Sequence, residues 1–293
     1  MGFVSYLIAG ISLGSIYAII ALGYTMVYGI AKMLNFAHGD VIMVGSYVVF
    51  YAIASFNWNP ALSIIVSIVV CTALGIVIEK IAYKPLRKAT SLAVLITAIG
   101  VSYLLQNSAL LLFGADTKSF PDALGLPTLE LAGGALKISG TTIFAIVACI
   151  VIMVGLMLFI KKTKTGQAML AVSEDKDAAQ LMGVDVNKTI SITFAIGSGL
   201  AAIAGVLLCS QYHALNPYTG SLPGIKAFTA AVFGGIGSIP GAFAGGLLLG
   251  IIEDLASAYI SSQLSNAIVF GVLIIVLLVK PTGLLGKQVR EKV

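Results

Sequence analysis

The chain has 293 residues, 59% of them hydrophobic and only 10% charged, with a mean hydropathy of +1.05; soluble domains carry about 25% charged residues, so a water-soluble globular protein is excluded. The net charge of +5 comes from Lys and Arg at the ends of apolar runs, not interleaved with aromatics, which excludes a nucleic-acid-binding face. The longest polar interludes, residues 116–140 and 161–188, are too short for an independent core of about 50 residues, so residues 1–293 read as one transmembrane domain.

The first predicted element is residues 4–30, which carry no charge. A helix of about 20 apolar residues crosses the roughly 30 Å hydrocarbon layer. This run exceeds a signal-peptide core and lacks a basic flank, so it is expected to be retained. Unbroken apolar runs also exclude a barrel, whose strands alternate.

A polar interruption follows, Leu34-Asn35-Phe36-Ala37-His38-Gly39-Asp40. Two readings stand. It is an interfacial turn with Asn35 or Asp40 capping the next helix, or it lies at membrane depth, where ionisable groups cost roughly 2.5–3.5 kcal/mol and mark function. On the second reading Asn35, His38 and Asp40 are candidates to line a translocation path. His38 has no histidine at i+4, and the only other one is His213, so no zincin-type metal site is present.

Further runs at residues 41–56, 60–78, 91–113, 141–160, 191–208, 227–252 and 265–279 complete an all-α, polytopic transmembrane bundle of about eight segments. Cys71, Cys149 and Cys209 lie inside these runs and read as small hydrophobes. Three basic clusters orient the bundle. They are Lys80, Lys84, Arg87 and Lys88; Lys161, Lys162, Lys164, Lys176 and Lys188; and Lys280, Lys287, Arg290 and Lys292, all assigned to the cytoplasm. The acidic stretch 116–140 then faces outside.

That assignment produces a parity conflict, because three simple crossings between Lys188 and Lys280 place the basic tail outside. At least one segment must be broken or re-entrant. Residues 227–252 contain Gly234-Gly235-Ile236-Gly237-Ser238-Ile239-Pro240-Gly241, which breaks a helix at what this reading takes as membrane depth. A non-helical break is expected over residues 234–241, with Gly237, Pro240 and Gly241 as path candidates. The amino terminus stays open: three simple crossings before Lys80 put it outside, and a split near Asn35–Asp40 puts it inside. Gly14-Ser15-Ile16 echoes Gly237-Ser238-Ile239, as in the internal repeats of transporters. Glycines spaced by four, at Gly10 and Gly14, Gly237, Gly241 and Gly245, and Gly246 and Gly250, suit close helix packing.

Within the second basic loop, Ala171, Ala178, Ala179, Leu181 and Met182 form one face of an expected short helix. Ser173 would cap it, Glu174 and Asp175 would occupy its first turn, and Gly183 would stop it. Such a helix suits docking in a groove on a soluble partner.

Asp177-Ala178-Ala179 with Gly183 resembles the EAA-x-x-x-G coupling motif of ABC importer permeases, with Asp in place of Glu. Joined to the Leu34–Asp40 stretch, to Phe233-Gly234-Gly235-Ile236-Gly237-Ser238-Ile239-Pro240-Gly241 and to Lys280-Pro281-Thr282-Gly283-Leu284-Leu285-Gly286, it resembles the LivH-type permeases of branched-chain amino-acid importers over essentially the whole chain. The resemblance implies a multi-pass subunit of the bacterial inner (plasma) membrane with no catalytic residues. It would pair with a LivM-like permease, two ABC ATPase subunits that use ATP and Mg, and an extracytoplasmic substrate-binding protein. The chain contains no G-x-x-x-x-G-K-[ST] loop, so ATP is expected on those partners. The coupling residues would be Glu174, Asp177, Ala178, Ala179 and Gly183. Permeases for urea, amides or sugars differ in cargo only, and a self-sufficient secondary transporter would need more intramembrane charge than this chain offers.

Overall fold

The computed structural model describes residues 2–87, 89–131 and 136–286, and it is a helical bundle. The helices are α1 (Gly2–Ala31), α2 (His38–Ala54), α3 (Pro60–Ile78), α4 (Ser91–Phe113), α5 (Gly140–Lys162), α6 (Lys164–Glu174), α7 (Lys176–Leu181), α8 (Val186–Tyr212), α9 (Ser221–Gly234), α10 (Ile239–Tyr259) and α11 (Ser265–Val279). Six, namely α1, α3 with its extension to Leu86, α4, α5, α8 and α10, are long and apolar enough to cross a membrane; α2 and α11 are shorter apolar helices. Of Lys88, Lys287, Arg290 and Lys292, basic residues used to orient the chain, none falls within the described residues.

Helix starts follow local chemistry. Asn59 Oδ1 accepts from Ala61 N at 2.9 Å with Pro60 at the first position of α3, and Asp185 Oδ1 accepts from Lys188 N at 3.0 Å at the head of α8. At its far end α3 widens into a π turn (Glu79–Tyr83) and then tightens into a 3-10 turn (Lys84–Leu86).

Helix α1 is the hub. It is apolar on every side and packs against α8, α9, α5 and above all α10. The α1–α10 seam is glycine on glycine: a Cβ on Gly250 would lie 2.2 Å from Gly14 Cα, and one on Gly246 would lie 2.4 Å from Ala18 Cα. The glycine spacing therefore builds close packing, as helices in lipid require.

The expected continuous segment 227–252 is two helices, α9 and α10. The break covers residues 235–238, shorter than the expected 234–241, because Pro240 sits in the first turn of α10, where a missing N–H costs nothing, and Ser238 caps that turn. Gly235 and Gly237 supply the positive φ angles of 109° and 91°. The split adds the crossing that the parity conflict demands.

One end of the bundle carries Lys80, Lys84 and Arg87, the α6–α7 corner and the C-terminal tail, whose Leu284 and Leu285 amides donate to Phe233 and Gly234 carbonyls at 2.9 Å each. The C-terminus of α1 lies at this same basic end, since Lys176 Nζ donates to Ala31 O. Three crossings therefore precede Lys80, and the amino terminus lies at the opposite end. There, two strands, β1 (Lys118–Ser119) and β4 (Ala214–Leu215), pair antiparallel. A second ladder joins β2 (Leu129–Leu131) to β3 (Leu136–Ile138).

This geometry has a direct check. A cysteine introduced at Glu174 is expected to react with a membrane-impermeant thiol reagent only from the basic side, and one at Asp122 only from the opposite side. Both residues are exposed, so reaction of the two from one side overturns the arrangement.

Candidate functional site

Two chemically distinct regions bear on function. The first is the corner at the basic end. Helix α6 starts early, at the cap provided by Thr163 Oγ1 on Gly166 N, so Ser173 and Glu174 close α6 and do not begin the coupling helix. The expected Ser173 cap is thus replaced by Asp175, whose Oδ1 accepts from Asp177 N at 2.9 Å and Ala178 N at 3.0 Å. The resulting helix, Lys176–Leu181, ends at Gly183 with φ +84°, as a helix stop requires.

The apolar face expected here separates into two roles. Ala179 is buried against the bundle, whereas Leu181 is 89% and Met182 85% exposed, outside the spanning helices. Beside α7 lies a cleft of about 400 Å³ lined by Arg87, Lys176, Asp177, Gln180, Asp185 and Asn187 among others. Arg87 bonds both the buried Glu79 and Asn187, and Ser191 Oγ donates to Glu79 Oε2 at 2.6 Å, which ties the end of α3 to the start of α8. Burial, then the nearby Arg87 and Lys32, hold the Lys176 ammonium below the usual lysine value.

The second region is the bundle interior, where two half-helices meet. After α1, Lys32 turns left-handed at φ 58°; three residues on, the Asn35 carbonyl accepts from His38 N at 3.2 Å; Gly39 then lies in the first turn of α2. After α8, His213 turns left-handed at φ 52°; three residues on, the Asn216 carbonyl accepts from Thr219 N at 3.1 Å; Gly220 then precedes α9. The pattern Leu-Asn-x-x-x-Gly occurs at both places, residues 34–39 and 215–220, on segments running in opposite directions. The two glycines pack backbone to backbone: a Cβ on Gly220 would stand 1.7 Å from Gly39 O.

Side chains close this junction. Asn35 is 3%, His38 1% and Asp40 2% exposed. Tyr83 Oη, presented by the π turn, donates to Asn35 Oδ1 at 3.0 Å, and Gln106 Nε2 donates to Asp40 Oδ1 at 2.9 Å while lying 3.1 Å from Ser221 Oγ. His38 packs its ring on Tyr24 at 4.6 Å and its Nε2 against Gly23. Neither Asn35 nor Asp40 caps α2, since Ala37 stands at its cap position with no side-chain cap.

Comparison with known proteins decides the family. A family described as "Branched-chain amino acid transport system / permease component" matches residues 6–278. The chain belongs to this family. Among its relatives, the high-affinity branched-chain amino acid transport system permease protein LivH of Salmonella typhimurium is 44% identical, over 99% of this chain and 98% of its own. The corresponding protein BraD of Pseudomonas aeruginosa is 45% identical over the same shares. Among solved structures, PsaBC from Streptococcus pneumoniae in complex with Fab covers 96% of this chain and 93% of its own, with a TM-score of 0.51 and 14% identity, a likeness of fold alone.

In this permease the residues expected along the path divide. Asn35, His38 and Asp40 come together at the half-helix junction. Gly237, Pro240 and Gly241 do not join them: they turn the chain at the basic end, where Gly237 packs on Gly29, because α9 leads from the junction to that end before the break. The echo of Gly14-Ser15-Ile16 with Gly237-Ser238-Ile239 pairs the middle of a helix with a turn, so it does not mark the repeat.

Sequence reading also missed a buried charge cluster. Lys226 Nζ of α9 donates to Glu253 Oε1 of α10 at 2.6 Å, and Tyr17 Oη of α1 donates to Glu253 Oε2 at 3.0 Å. A lone Lys inside the apolar α9 was the available signal, since such a residue needs a carboxylate partner. Removing one partner of a buried pair leaves an uncompensated charge, at a cost of about 3–5 kcal/mol. Lys226→Met is therefore expected to lower the unfolding midpoint in detergent, and the double variant with Glu253→Gln is expected to recover part of the loss. A double variant worse than the sum of its parts overturns this pairing.

Proposed function

We propose that this permease is the membrane-spanning subunit of an ATP-driven importer for branched-chain, hydrophobic amino acids. The basic end faces the cytoplasm of a bacterial cell, in its inner membrane. Its partners are a LivM-like second permease, two ABC ATPase subunits that bind ATP and Mg, and an extracytoplasmic binding protein. Family membership supports the cargo. The observation that carries the mechanism is the α7 corner, a capped helix that holds Leu181 and Met182 out from the bundle on the basic side.

Closure of the ATPase subunits moves α7 and, with it, the bundle. Ligand-driven change requires an element whose contacts differ between two states, and a docked rigid helix meets that requirement. Ala179 fastens the helix inward, Leu181 and Met182 fasten it outward, Asp177 and Ala178 lie exposed on it, and Glu174 flanks the docking surface. Exposed apolar side chains seated in a partner groove are the usual anchors of such interfaces.

The cargo is a zwitterion with an aliphatic chain. At the half-helix junction, the amino-terminal ends of α2 and α9 direct their positive dipole ends inward, suited to a carboxylate in passage. Asn35, His38 and Asp40 are sealed in this conformation, so the alternating step opens the Gly39–Gly220 contact. Discrimination among side chains belongs to the binding protein, because one methylene in an apolar pocket is worth about 1–3 kcal/mol.

The test is uptake by the full complex in liposomes. Gly183→Leu forces a branched side chain to φ +84°, a strain of about 1–3 kcal/mol. It is expected to leave membrane abundance near normal while uptake is lost. The pair Leu181→Asp and Met182→Asp is expected to reduce co-purification of the ATPases about tenfold or more. Undiminished uptake by Gly183→Leu at equal abundance overturns the coupling role.

A further inference from the structure

We infer that Lys176 is a positioning residue of the transport cycle, one that ties the coupling helix to the hub of the bundle. The inference rests on the coupling reading given above and names the route by which motion leaves α7.

Helix α1 runs 30 residues and has no basic residue in its last turn. Its final carbonyls have no intrahelical partner, and the aligned peptide dipoles place negative partial charge at that end. The Ala31 residue is fully buried, so water does not satisfy its carbonyl. Lys176, the first residue of α7, reaches across 145 positions of sequence and donates from Nζ to Ala31 O at 2.9 Å. The coupling helix thus supplies in trans the side-chain donor for this carbonyl, which the neighbouring Lys32 does not bond.

Two further observations give the bond its consequence. Among the described residues, it is the only side-chain hydrogen bond from α6 or α7 to an element distant in sequence; the others at the corner are local caps and turns, including Thr163 Oγ1 to Phe159 O at the end of α5. The residue it grips is also the last of α1 before Lys32 and the break leading to Asn35 and Gly39. A shift of α7 therefore acts directly on the point where α1 hands over to the half-helix α2. Apolar packing of Met169 and Val172 holds α6 in place independently, so loss of the ammonium does not unseat the corner.

Lys176→Met keeps the stem and removes the donor, and Lys176→Arg keeps a donor. Both are to be measured in the complete importer, with second permease, ATPases and binding protein, reconstituted in liposomes. For Lys176→Met, ATPase co-purification and ATP hydrolysis are expected to stay within about twofold of the parent, while uptake falls about tenfold, the scale of a charge-assisted bond and of ordinary coupling energies. The ATP consumed per amino acid moved should rise to match. Lys176→Arg should restore uptake to within about threefold of the parent.

An unchanged ratio of ATP to cargo in Lys176→Met overturns the inference. Loss of ATPase co-purification overturns it too, since Lys176 would then serve docking. Gly183→Leu, which leaves the Lys176–Ala31 bond in place, reports separately on the coupling reading: full uptake there removes that reading itself.

Discussion

A main chain inside hydrocarbon has to satisfy its own amides, and this fold twice leaves continuous helix to lead from one end of the bundle to an interior junction, at residues 32–37 and 213–220. Each break survives because other parts of the protein wrap it. The Asn35 and Asn216 turns close some backbone groups locally, and Tyr83, Gln106 and the α2 and α9 amino termini enclose the rest. Much of the remaining architecture follows from that need. The π turn in α3 presents Tyr83, α4 presents Gln106, and the two glycines allow the half-helices to meet without a gap.

The second constraint is that lipid gives helices no hydrophobic reason to associate. Close approach supplies dispersion contacts instead, which is why the hub α1 meets α10 through Gly10, Gly14, Gly246 and Gly250. These seams carry many weak contacts and few directional bonds. Polar links are few and specific by comparison. Lys226–Glu253–Tyr17 joins α9, α10 and α1; Arg87–Glu79–Ser191 joins α3 and α8; Lys176–Ala31 joins α7 and α1. The dense seams make the bundle stiff, and the sparse bonds fix which elements move together.

Much of this was legible in the sequence. Uncharged runs gave the helices, the basic clusters marked one end of the bundle, and the conflict they created located the split within residues 227–252. Gly183 was readable as a helix stop because few other residues tolerate φ +84°. Three things were not legible. The start of the coupling helix moved because two caps, Thr163 and Asp175, compete with Ser173, and only tertiary packing of Met169 and Val172 decides among them. The separation of Gly237 and Pro240 from Asn35 was hidden because α9 begins earlier than its apolar run, at Ser221, with Lys226 covered by a partner 27 residues away. The repeat was sought in Gly-Ser-Ile, whereas conformation is set by Leu-Asn-x-x-x-Gly, where the asparagine closes a turn and the glycine admits a crossing backbone.

The opposed directions of the two breaks bear on how one helix rotation could serve both faces of a membrane. One break leads in from the basic end and the other from the far end, and both half-helices start at the same glycine contact. Helix α1 touches each: its end leads into the first break, and its Tyr24 packs on Phe228 of α9 and lies against Gly224. A displacement of α1 relative to α8 therefore reaches both breaks at once. Packed interfaces of this kind are bistable and not continuously deformable. That is the geometric condition for opening one side of a membrane while keeping the other closed.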